Sequence, residues 1–133
     1  MTNSEKFSYE REAIKQALIS AGAKTVLFNK DDIPKELPAA IVILDGETGK
    51  NGTSRRFVDT DIAWTVFLVV NAQKADDPDQ ALYTLKENFR THYIAGMNRD
   101  LPKVEYYTSR IDGARLVRIA RIELLKAGTG AGS

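Results

Sequence analysis

The chain has 133 residues, 43% of them hydrophobic, which suits one domain with a buried core. Lys and Arg total 19 against 18 Asp and Glu, a formal charge of +1, so no global field draws the molecule onto nucleic acid or an anionic membrane. The absence of cysteine removes disulfides, thiolate nucleophiles and cysteine metal sites together.

The opening MTNSEKFSYERE carries charges where a signal peptide needs an apolar core, and no apolar run is long enough to span a bilayer. From Ser8, a candidate N-cap, the spacing of Ala13, Ile14, Ala17, Leu18 and Ala21 predicts a helix with one apolar face. Glu10 and Glu12 then fall in its first turn, where the helix dipole favours negative charge, and Gly22 ends it. Thr25 to Phe28 reads as a short strand, followed by a loop holding Pro34 and Pro38. The β-branched run Ala40 to Leu44 predicts a strand buried on both faces.

The loop DGETGKNGTSRR comes next. A phosphate-binding loop needs four residues between its first Gly and the Gly-Lys pair, but only Glu47 and Thr48 separate Gly46 from Gly49-Lys50. Asn51 also stands where the metal-binding hydroxyl belongs, so the loop reads as a turn between strands. Lys50, Arg55 and Arg56 make it basic.

Phe57 to Val70 carries the longest strand signal. Its even positions from Val58 to Val70 are apolar apart from Thr60, while its odd positions open on Asp59 and Asp61 and turn apolar at Phe67 and Val69. The first half therefore has one wet face and is expected to extend beyond the domain as an arm of a protruding hairpin, shortened by a bulge or bend. Asp77, Pro78 and Gln80 predict a capped helix start, and Leu82, Leu85, Phe89 and Tyr93 its buried stripe, to a stop at Gly96. Val104–Ile111 and Ala114–Leu125 complete the chain as two strands; a two-residue Asp112-Gly113 turn of type I′ joins them. That register sets Tyr107 opposite Arg118, near enough to stack.

The elements define an α+β fold: a mostly antiparallel sheet of four or five strands, with two helices packed on one face and a protruding β-hairpin. A single domain spans 1–126, and the glycine-rich 127–133 is expected to be a flexible tail.

Chemistry is sparse. His92 is the lone histidine, beside an apolar helical stripe, and no partner histidines complete a metal site. Asp59 and Asp61 share a strand face, which fits a solvated or inter-subunit surface better than an acid–base pair. No Ser lies in a G-x-S-x-G elbow. The expectation is a non-enzyme with neither metal nor cofactor. On the last strand Arg115, Val117, Ile119 and Arg121 point one way and Leu116, Arg118, Ala120 and Ile122 the other, so both faces are mixed. Such faces belong either to a solvated hairpin or to an interface, where Tyr and Arg are enriched. The candidate interface residues are Lys50, Arg55, Arg56, Asp59, Asp61, Tyr107, Arg115, Arg118 and Arg121.

In length and order of elements, from SYEREAIKQAL through AAIVILDGE, RFVDTDIAWTVFLVVNA and DPDQALYTLKENF to VEYYTSRIDGARLVRIARIELL, the chain resembles the tail terminator or tail completion proteins of long-tailed bacteriophages. The resemblance is one of architecture. It implies a structural virion protein of the tail or neck, assembled in the host cytoplasm into a ring, commonly a hexamer, at the head-proximal end of the tail tube. There the ring stops polymerisation of the major tail tube protein and receives the head through its connector proteins, with DNA passing through the lumen without sequence-specific contact. The basic loop would meet a neighbouring subunit, the tube or that DNA. A different class remains open: a small α+β ligand-binding or enzymatic domain with a cleft near Asp59, Asp61 and His92.

Overall fold

A computed structural model describes residues 2–49, 60–73, 76–97 and 99–126. Two helices and five strands follow the order α1 (Asn3–Ala21), β1 (Thr25–Leu27), β2 (Ala39–Gly49), β3 (Thr60–Asn71), α2 (Pro78–Met97), β4 (Arg99–Ile111) and β5 (Arg115–Lys126). The fold is α+β. The strands form one mixed sheet in the order β1-β2-β3-β5-β4, antiparallel except where β1 runs parallel to β2.

The first helix starts earlier than Ser8. Thr2 caps it, accepting from the Glu5 amide at 3.1 Å while the Glu5 carboxylate takes the Thr2 amide at 3.3 Å, a reciprocal box that satisfies two otherwise orphan donors. The added turn brings Phe7 onto Trp64, with ring centroids 5.2 Å apart. Glu10 consequently sits in mid-helix instead of the first turn. It is buried, and its carboxylate accepts from the Trp64 indole at 3.1 Å. Gly22 ends the helix at φ 120°, a conformation that penalises a side chain.

Buried residues of both helices, among them Ile14, Leu18, Leu82, Phe89 and Tyr93, form one cluster with Ala40 and Val42 of β2, Ile62 to Val70 at even positions of β3, and Ala120, Ile122 and Leu124 of β5. Alternation along a strand places these sheet residues on a common face. The stripe predicted for α2 is buried throughout, and the Asp77 carboxylate accepts from the Gln80 amide at 3.0 Å as the cap pattern requires. A smaller cluster of Ala39, Val69, Val117 and Ile119, with Leu37, Phe67 and Ile111 against it, belongs to the opposite parity and contains no helical residue. Hence β2 is not buried equally on both sides: Ala40 and Val42 are buried, Ile41 and Ile43 only partly.

The β2–β3 ladder outruns the rest of the sheet. β3 pairs with β5 from Trp64 to Asn71, whereas its pairing with β2 continues through Ala63, Ile62 and Asp61 to Thr60, opposite Gly49. A register shift between Leu44 and Gly46 puts a bulge on β2, not in the long strand where one was expected: β3 pairs without interruption over its described residues.

The β4–β5 register differs from expectation by one residue. Asp112 and Gly113 both have positive φ, 48° and 76°, and Ala114 donates to Ile111 at 3.2 Å, but the ladder closes on the pair Ile111–Arg115. Ala114 is therefore an extra loop residue. Tyr107 lies opposite Ile119 and Thr108 opposite Arg118, so Tyr107 and Arg118 occupy different faces and do not stack.

Candidate functional site

The 28–38 connection carries the chain from β1 to the start of parallel β2, and it is fastened by Arg115. That guanidinium donates to the Pro34 carbonyl at 2.7 Å through Nη2 and pairs with the Asp112 carboxylate at 3.1 Å through Nε. The loop consequently forms one wall of an open groove of about 450 Å³. Its floor is Ile41, Phe67, Val69 and Ile119, contributed by β2, β3 and β5; Ile33 and Pro34 line the loop side, Tyr107 and Ile111 the β4 side. Ile33 is 51% exposed, so an apolar side chain stands at the rim facing water. Charges ring the apolar floor: Asp31, Asp32 and Asp112 against Lys30 and Arg110.

Beyond Tyr107 the same parity turns polar. Arg121, opposite Glu105, donates to Glu123 at 2.8 Å and lies 3.7 Å from Glu105, which Lys103 holds at 3.0 Å. The Lys103 ammonium keeps the Glu105 carboxyl below its ordinary range, and Glu123 raises Arg121 further. Burial pushes the Tyr107 phenol up, opposed by the nearby Arg121 charge. Arg115 and Arg121, two of the candidate interface residues, are thus already engaged within the molecule.

Arg118 belongs to the opposite face. It pairs with Asp79 of α2 at 2.8 Å and donates to Thr108 at 3.3 Å, beside a smaller hollow of about 200 Å³ walled by Tyr83 and Tyr106. Asp61 sits near the far end of the described β2–β3 arm with Lys6 of α1 3.9 Å away, a partly buried pair instead of a solvated carboxylate. Lys50, Arg55, Arg56 and Asp59 fall outside the described residues. The structure therefore brings Tyr107 and Arg115 to the groove, sets Arg121 beside it, and places Arg118 and Asp61 elsewhere.

His92 is exposed on α2, and neither it nor Asp61 lines the groove. Among the described residues no group of three or more His, Cys, Asp or Glu side chains is arranged to hold a metal ion, and no helix is long and apolar enough to cross a membrane. Reading by strand alternation missed the loop wall, although the pair Ile33-Pro34 inside the polar stretch NKDDIPKE was its visible signal. No protein-family model matches the chain, and no curated protein matches it either.

Proposed function

We propose that the chain is a structural assembly protein that acts as bacteriophage tail terminators do, forming a ring at the head-proximal end of a tail. In this role it ends polymerisation of the tail tube protein, receives the connector of the head, and lets DNA pass through its lumen without sequence-specific contact. One observation carries the reading: the subunit presents two unlike surfaces. The sheet face bearing Val69 and Ile119 has an apolar floor without helical residues in its cluster, and the β2–β3 ladder extends beyond its β5 neighbour as an arm. A closed ring is built from a heterologous contact, in which one patch of each subunit meets a different patch of the next. Strand β4, Arg99–Ile111, is an edge of the sheet that an assembly can cover.

Light scattering coupled to size-exclusion chromatography, followed by negative-stain microscopy, tests the reading. Ring particles that cap purified tail tubes and stop their elongation are expected. A protein that stays monomeric over a wide concentration range and leaves tube growth unchanged refutes it.

A further inference from the structure

The β2–β3 arm begins at one level of the sheet, and three features meet there. β5 pairs with β3 only as far as Trp64, the β2 bulge lies between Leu44 and Gly46, opposite Trp64 and Ala63, and Phe7 of α1 packs on the Trp64 ring. Beyond that level β3 has β2 on one side and, among the described residues, no strand on the other. The orientation of its peptide groups follows from the Ala72 amide, which donates to the Leu116 carbonyl of β5 at 3.0 Å. Alternation then turns even-numbered residues of β3 toward β5 and odd-numbered ones toward β2, so the Thr60 carbonyl points to the side that β5 has left.

The first turn of α1 meets the arm there. Lys6 donates to the Thr60 carbonyl through its ammonium and lies 3.9 Å from the Asp61 carboxylate, and Asn3, Ser4 and Phe7 share a hollow of about 220 Å³ with Leu44, Glu47 and Ile62. Ile62 is 4% exposed although β5 does not flank it. The turn itself depends on the Thr2 cap, whose hydroxyl and carbonyl receive the Glu5 and Lys6 amides at 3.1 and 2.9 Å. We propose that residues 2–7 are a strap that fixes the direction of the arm, and that strap and arm release together, hinged at the β2 bulge, while the body of the sheet stays closed. A bulge suits a hinge because its extra residue leaves the ladder locally unpaired. The strapped arm has one set direction; the released arm takes the direction a partner favours, since a ligand shifts a population by its differential affinity for the two states. The device is a property of the single chain and does not require the assembly reading.

Hydrogen exchange of the full chain, resolved by residue, tests the coupling. In the unmodified protein at low denaturant, the Glu5, Lys6, Asp61 and Ala63 amides are expected to share one opening equilibrium, at lower cost than the opening of Leu68 and Ala120. Thr2→Ala removes the hydroxyl that caps the turn, and among the described residues the bonds of Thr2 go to Glu5 and Lys6. It should nonetheless speed exchange at Asp61 and Ala63 by about fivefold, the factor that corresponds to an N-cap of ordinary strength. Lys6→Met keeps the aliphatic stem, loses the ammonium and should speed the same amides. Asp61→Asn should in return speed Glu5 and Lys6, because coupling between two sites is reciprocal. Leu68 and Ala120 stay unchanged in all three variants. Separate opening equilibria for strap and arm, unaltered Asp61 and Ala63 amides in Thr2→Ala or Lys6→Met, or equal acceleration at Leu68 and Ala120 each overturn the strap. Ring formation enters none of these measurements, so failure of the strap leaves the assembly reading standing.

Discussion

Arg115→Ala isolates the tether that makes the groove. The substitution removes the Nη2 bond to the Pro34 carbonyl and the Nε pair with Asp112, while the Arg115 backbone amide keeps its own contact with the Asp112 carboxylate at 3.4 Å. The ion pair has side chains 33% and 37% exposed, so solvent screening leaves it about 0.3–0.5 kcal/mol. The bond to Pro34 has a charged donor and a partly buried carbonyl acceptor, and contributes about 1–1.5 kcal/mol. Together they amount to roughly 1–2 kcal/mol, which raises the frequency of loop opening by about 5–30-fold. Hydrogen-exchange mass spectrometry reads this directly. A peptide covering 28–38 contains the Asp31 amide, bound to the Asn29 side chain, and the Asp32 amide, bound to the Asn29 carbonyl. Faster exchange is expected there and little change across Leu68 and Ala120, both fully buried in the sheet. Arg115→Lys should fall between the two, since one ammonium cannot reproduce the planar fork. Unchanged exchange in the loop, or equal acceleration in the sheet, would show that Arg115 does not hold the wall.

Glu10 and Trp64 should be energetically coupled: Glu10→Ala, Trp64→Phe and the double variant are expected to give an interaction of about 1.5–3 kcal/mol in urea unfolding, with a value under about 0.5 counting against the buried bond. Gly113→Ala meets no atom within 4 Å, so its cost is the left-handed backbone at φ 76° alone, about 1–2 kcal/mol with an unchanged denaturant slope. The Glu5 carboxyl, held below 4.5 by the Thr2 hydroxyl and amide, links the first helical turn to pH. Because its folded pKa is depressed, the cap contributes above 4.5 and is lost as the pH falls through the folded value; amide shifts of residues 2–6 should follow that transition, and Glu5→Gln should abolish it.

Local patterning accounts for much of the fold. The stripe Leu82, Leu85, Phe89 and Tyr93, the Asp77 cap and the even face of β3 are all where period and capping chemistry put them, because each depends on neighbours within a turn or along one strand. The start of α1 was also written locally, in Thr2 and Glu5, but Ser8 offers the same residue type closer to the apolar stripe. Long-range choices were less legible. Alternation correctly separates Arg118 from Arg115 and Arg121, yet it cannot place Tyr107 relative to them, since one additional loop residue at Ala114 exchanges every partner across the hairpin.

The sequence by itself determined the apolar stripes of both helices, which strand residues alternate, and that the last strand would carry arginines on both faces, because these follow from spacing along one chain; the first turn of α1 escaped it. Only the tertiary structure decided what those arginines do. Arg115 meets the carbonyl of Pro34, Arg118 the carboxylate of Asp79, and Arg121 the carboxylate of Glu105, residues distant in sequence that β pairing, loop return and helix docking bring within a few ångströms. The groove has the same origin. Its floor is drawn from three strands and its walls from a loop and a hairpin, and no periodicity in one segment encodes where another segment will cross it.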